Sequence, residues 1–175
     1  MNRSCGDCQL CCELLPVREL DKINNQRCQY QRRGRKRCSI YAQRPFACKI
    51  WSCRWLQDKA TAGLSRPDRS HYVIDIMPDY IGCTTPETGR TDLPVIQIWV
   101  DPKFPLAHRD PALREYMVAG EHTAIVRYGS HDGFLLIPPQ FMSTGEWWER
   151  PTMPGDSWET HSAEDLLSKG LEISL

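Results

Sequence analysis

From residue 71 onward, apolar and polar side chains alternate in short runs. HYVIDIM (71–77) and PVIQIWV (94–100) have the period of two expected of half-buried strands. TAIVRYG (123–129) and FLLIP (134–138) have the same texture, and the turn residues SHDG (130–133) between them predict a hairpin. Asp110-Pro111 opens PALREYMVAG with a capping carboxylate, a proline suited to the first helical position and Gly120 at the end, which predicts a helix between the second and third strands. Residues 139–160 are rich in Pro, Gly and Trp without a period and read as an ordered surface segment; Ser162-Ala-Glu-Asp reads as a cap before a short helix ending near Gly170.

The first 56 residues have no such regularity. LLPVRELDKIN (14–24) predicts a turn or two of helix after Pro16, and QRRGRKR (31–37) an exposed loop with Gly34 at its tip. QRPFACKIWSCRWL (43–56) predicts a helix after Pro45 that brings Cys48, Trp51 and Trp55 near one face. The polar stretch 57–70, QDKATAGLSRPDRS, reads as a linker. The expected fold is α+β: a small metal-stabilised, cysteine-rich module over 1–56 packs on a small, mostly antiparallel sheet with one or two helices over 71–175, as one compact unit.

Composition narrows the setting. The 175 residues are 41% hydrophobic and 25% charged, as in a soluble globular chain. No apolar run approaches the roughly 18 residues a membrane span requires, and cysteines and charges interrupt the first 30 residues where a signal peptide would carry its apolar region. The expectation is a cytoplasmic protein without a membrane partner. Net charge is zero but unevenly spread: residues 1–60 hold 13 Lys and Arg against 5 Asp and Glu, and the remainder reverses the balance. Cations near thiolates offset their charge.

The cysteines carry the candidate chemistry. Cys5, Cys8, Cys11, Cys12, Cys28, Cys38, Cys48 and Cys53 lie in the first third of the chain, and Cys83, read as a buried free thiol, stands alone beyond them. In a reducing compartment such a cluster points to metal or redox chemistry and away from a disulfide framework. Cysteines two residues apart can turn both thiolates onto one metal. Three in the pattern C-x2-C-x2-C can surround one corner of an iron–sulfur cube, whereas zinc takes four ligands, usually as two separated pairs. The triple at Cys5, Cys8 and Cys11 favours iron–sulfur; the lack of a Cys-Pro dipeptide at a closing ligand favours zinc, the preferred of the two. Adjacent side chains diverge, so Cys11 and Cys12 are not expected to bind the same ion. One of them serves a second centre or packs as a small apolar group. One or two centres fit the count.

The opening C-x2-C-x2-C-C, the lone Cys28 and the later Cys38-x-Ile40-Tyr41-x-x-Arg44-Pro45-x-x-Cys48 together resemble the YkgJ-like cysteine-cluster family, the CxxCxxCC zinc- or iron-chelating domain. The resemblance covers about residues 5–53, with Cys53 outside its pattern, and implies metal chelation. One branch of that family is similar to flagellin lysine N-methylases, which are longer chains. With this signature in view, Tyr41 and Arg44 are expected beside the metal-bound sulfurs, where the guanidinium can donate hydrogen bonds to them.

The expected function is a metal-binding protein whose partner is the metal ion; nothing in the chain indicates a protein partner. An alternative is an iron–sulfur redox or protein-modifying enzyme. A further alternative is a zinc module that uses the basic loop on nucleic acid, which the acidic C-terminal region opposes. His71, His108, His122, His131 and His161 show no metal-ligand spacing and read as ordinary structural residues. The six tryptophans read as packing residues, with Trp147-Trp148 the pair that could line a groove. There is no G-x-S-x-G, Walker loop or G-x-G-x-x-G.

Overall fold

A computed structural model describes residues 3–32, 38–76, 79–85, 89–129, 132–151 and 157–159. Its spine is one long strand, β3 (Gly89–Val100), whose two halves have different neighbours. The C-terminal half pairs antiparallel with β1 (Tyr72–Ile74) on one side and parallel with β4 (Ala124–Arg127) on the other. β5 (Gly133–Ile137) and β6 (Trp148–Pro151) extend the sheet antiparallel beyond β4. The N-terminal half of β3 pairs with β2 (Asp79–Thr85), which carries β7 (Ser157–Glu159) on its outer edge. The described strands run β6-β5-β4-β3-β2-β7, with β1 ahead of β2 along β3. The chain is thus α+β with a mostly antiparallel sheet, β3 and β4 being the parallel pair.

β1 and β2 follow one another along the same edge. Ile74 faces Ile98 and Asp79 faces Val95, so five steps on one strand cover three on the other. The two strands therefore meet β3 in registers that differ by two residues. Asp75 sits just after β1, its backbone N–H still donating to Gln97 O at 2.8 Å.

Strand alternation sends side chains to two faces. Tyr72, Ile74, Ile96, Ile98, Val100, Ala124, Val126 and Leu136 pack on one face against Leu113, Tyr116 and Met117 of α5 (Pro111–Ala119). Those three helix residues fall at the i, i+3, i+4 spacing that makes one apolar stripe. Asp110 caps α5 by accepting from Ala112 N at 3.0 Å, as its position before Pro111 predicts. On the opposite face Val73 and Trp99 receive the cysteine-rich segment.

That segment is built from short pieces: α1 (Leu10–Leu14), α2 (Phe46–Ile50) and α3 (Arg54–Gln57). The helix expected across 43–56 is broken at Trp51–Cys53. The break turns the Cys53 backbone onto the free edge of β1, where it bridges Asp75. The stretch read as a linker is folded and packed. Lys59–Gly63 form a 3-10 turn, α4 spans Pro67–Ser70, and Thr61, Leu64 and Pro67 are buried. Arg3 fastens the start of the chain there, donating to Thr61 Oγ1 at 2.7 Å and Thr61 O at 2.9 Å. Within the stretch read as an ordered surface segment, β6 forms an edge of the sheet. The basic run 33–37 and the expected helix after Ser162 lie outside the described residues, as do His131 and His161.

Candidate metal centre

The eight N-terminal cysteines are free thiols, Cys53 buried, Cys5 exposed and the others half-buried. They fall into two neighbouring groups. In the first, Cys8 N donates to Cys5 O at 2.8 Å, closing a tight turn. Gly6 takes φ +55 in that turn, a conformation costly to any residue with a Cβ. Asp7 anchors the turn through an ion pair with Arg66 at 2.7 Å. Leu10 and Leu14, four apart on α1, are buried with Cys53 against Val73 and Trp99, and Cys8 and Cys11 pack at the border of the same cluster. Cys5, Cys8, Cys11 and Cys53 form this inner group. Burial pushes the Cys53 thiol up to about 11, the nearby Cys5 and Cys8 adding to the rise; burial also raises Cys8.

In the second group Cys28 N donates to Cys12 O at 3.0 Å, and Gln31 N donates to Cys28 O at 3.0 Å. Gln31 also bridges Cys38, and its side chain donates to Glu13 Oε1 at 2.9 Å. Cys48 lies on α2, whose first N–H groups, from Phe46 and Ala47, each donate at 2.9 Å to the Glu19 carboxylate. Burial drives the Cys48 thiol up to about 11, and the charges of Cys12 and Cys28 push the same way. Cys12, Cys28 and Cys48 form this outer group, and Cys38 is tied to it through the Gln31 bridge.

Cys11 and Cys12 are the seam. Hydrogen bonding between them, together with burial, holds Cys11 well above the ordinary thiol range. The same bond lowers Cys12 to about 7, helped by Lys22 and Arg44 and opposed by burial and Glu13. The expected divergence of these adjacent side chains is not seen: the two thiols are hydrogen-bonded to each other, with Cys8 and Cys53 in the field of Cys11 and the two cations in that of Cys12.

Arg44 stacks its guanidinium 3.8 Å from the Tyr41 ring centroid and donates through Nε to Tyr41 O at 3.0 Å. Its charge acts to lower the thiols of Cys12 and Cys48. Tyr41 is 51% exposed and serves as the platform for Arg44. Lys22 and Glu19 were not legible from the sequence: lysine is ordinarily a surface residue, and no spacing rule links Glu19 to a helix start 27 residues away.

Among the described residues, no three Cys, His, Asp or Glu side chains converge closely enough to hold one ion. The thiols are neighbours and not a closed coordination shell. As donors they still suit zinc or an iron–sulfur cluster, both selected by soft thiolate ligands. The described histidines are engaged elsewhere: His71 stacks on Phe104 at 3.5 Å, His108 is buried beside Glu149, and His122 lies against Tyr116. The Cys83 side chain lies outside the described residues. Among the described residues no helix is long and apolar enough to cross a membrane.

Neither a protein-family model, nor a curated protein, nor a solved structure matches the chain.

Proposed function

We propose that this protein binds metal through thiolates at two centres, one on Cys5, Cys8, Cys11 and Cys53 and one on Cys12, Cys28, Cys38 and Cys48. The observation that carries this reading is the break between α2 and α3. It leaves Cys53, distant in sequence, bridged to Asp75 and in the same apolar cluster as Cys8 and Cys11, which supports counting it as the fourth ligand of the opening triple. The metal is zinc or an iron–sulfur cluster, and its first role is to hold residues 5–55 in place. The resemblance of residues 5–53 to the CxxCxxCC family supports chelation, and the free state of all eight thiols keeps them available for it.

Bound metal must displace protons from Cys48 and Cys53, both pushed up to about 11, so a dication is the agent that would make them thiolates at neutral pH. The test is elemental and sulfide analysis of full-length protein purified without oxygen. Two zinc equivalents, or iron with acid-labile sulfide, supports the reading; protein free of both, or with these cysteines paired as disulfides, ends it. A brown colour separates iron–sulfur from zinc.

A further inference from the structure

We infer that Lys22 is a positioning residue of the outer sulfur group, its buried ammonium supplying the positive charge that a set of thiolates there requires. The inference rests on the reading of Cys12, Cys28, Cys38 and Cys48 as metal ligands.

Lys22 is 6% exposed, an unusual place for a lysine without an ionic partner. A two-stranded turn puts it there: Val17 N donates to Lys22 O at 2.9 Å and Lys22 N to Val17 O at 3.1 Å, with Asp21 between them at φ 49. Lys22 Nζ donates to the carbonyls of Leu15 and Ile23. Among the described residues no carboxylate forms an ion pair with it. The acidic groups in its field are thiols: Cys28, Cys12, Cys11 and Cys48. A buried charge is destabilising unless it meets an opposite charge. With neutral thiols Lys22 has two carbonyl dipoles for partners; with metal-bound thiolates it has a matching anionic surface.

The other charges facing the outer group are already tied. Glu13 accepts from Gln31, Glu19 is held by the Phe46 and Ala47 amides, and Arg44 lies on Tyr41. Lys22 therefore differs from them in being buried, with carbonyls for partners and Cys12, Cys28 and Cys48 in the field of its charge. By contrast Arg66, the cation in the field of Cys8, is paired with Asp7 and Asp68.

The experiment uses full-length protein, stripped and reloaded with cobalt(II) without oxygen, whose thiolate charge-transfer absorption counts metal–sulfur bonds. Each sample is then titrated with a competing chelator. Lys22→Gln keeps a donor for the Leu15 and Ile23 carbonyls but removes the charge; Lys22→Arg keeps the charge. Lys22→Gln should weaken cobalt in one of the two classes by about 10–100-fold, the usual effect of losing a group that supports the ligands. Lys22→Arg should restore it, and Lys49→Gln, at an exposed position beside Cys48, should change nothing.

Equal cobalt affinity in wild type and Lys22→Gln overturns the role of Lys22 and leaves the metal reading standing. Wild-type protein without thiolate-bound cobalt overturns both. If Lys22→Gln does not fold even when loaded, Lys22→Arg decides: retention of both cobalt classes supports a requirement for charge, and loss of the outer class overturns it.

Discussion

The indole Nε1 of Trp51 donates to Asp75 Oδ1 at 2.7 Å, joining the break between α2 and α3 to the residue at which β1 stops. Arg54, just past the break, adds a second tie by donating from Nε to Asp75 O at 3.1 Å. Asp75 is 8% exposed, so its carboxylate depends on such donors. Trp51→Phe keeps the ring and removes the N–H. The expected loss is about 1–3 kcal/mol, the cost of stripping a donor from a buried acceptor. Denaturant unfolding of wild type and variant checks it; a change under about 0.5 kcal/mol, as for an ordinary surface substitution, would mean the bond does not hold the two parts together.

Metal removal should act unequally along the chain. Of the described residues before α3, Leu10, Leu14 and Cys53 are the buried apolar ones, whereas β1, β3, β4 and β5 bring a two-sided core. A structural zinc site can contribute about 10 kcal/mol or more to folding. Chelation should therefore strip amide protection from α1, α2 and the turns between them while β3, β4 and β5 keep theirs. Acid should have the same effect, because protons compete for the thiolates. Hydrogen exchange with and without chelator measures this directly, and unchanged protection across residues 5–55 in metal-free protein would sink the idea that metal organises them.

The four strands read from the sequence are those whose neighbours bury both or one of their faces, so the alternation of Tyr72–Ile74, Val95–Val100, Ala124–Arg127 and Gly133–Ile137 is written in residue type. The outer strands were less legible. DYIGCTT and GRTDL carry glycine, threonine and charge that hide an alternation in residue type, and WERP is an edge whose pattern a charged surface also produces. In the site, cysteine identity and spacing singled out the thiols proposed as ligands, but not which of them share surroundings. Cys53 reaches the opening triple through a helix break stabilised from Asp75, 22 residues on. A buried Lys22 depends on the turn that pairs it with Val17, and no periodicity encodes that.

A second source of acid sensitivity lies away from the cysteines. His108 is 2% exposed, with Nδ1 3.0 Å from Pro105 O and Nε2 3.3 Å from Glu149 Oε1. Burial depresses its pKa below the ordinary 6.5 and outweighs the pull of Glu149. The folded protein thus resists a proton that the unfolded chain accepts, so this contribution is whole above about pH 6.5 and is lost as pH falls through the depressed value. Glu149 has the same sign at lower pH: burial would raise it, but hydrogen bonds and charge from Arg109 and His108 hold it below its usual range. His108→Gln should flatten the decline in stability between pH 7 and the acid limit relative to wild type. Unfolding midpoints taken across that range test it, and parallel profiles for the two proteins would remove His108 as the cause.

The two cysteines at the seam should separate the two centres. Cys11 shares its surroundings with Cys8 and Cys53, while Cys12 faces Lys22 and Arg44 and hands its carbonyl to Cys28 N. A serine at either position removes one thiolate and leaves the neighbouring backbone intact. Cys11→Ser should therefore release metal from the same class as Cys53→Ser, and Cys12→Ser from the same class as Cys48→Ser. Each single substitution should leave about one of two metal equivalents in place, since a four-ligand site that loses a thiolate is weakened while its neighbour keeps its own set. The pairs Cys11→Ser with Cys53→Ser, and Cys12→Ser with Cys48→Ser, should cost no more metal than either member alone. Crossed pairs, such as Cys53→Ser with Cys48→Ser, should empty both sites. Metal analysis of the seven variants, with cobalt(II) absorption to count the remaining sulfur ligands, reads the pattern. Loss of all metal from each single variant would show one shared centre in place of two, with Cys11 and Cys12 both inside it.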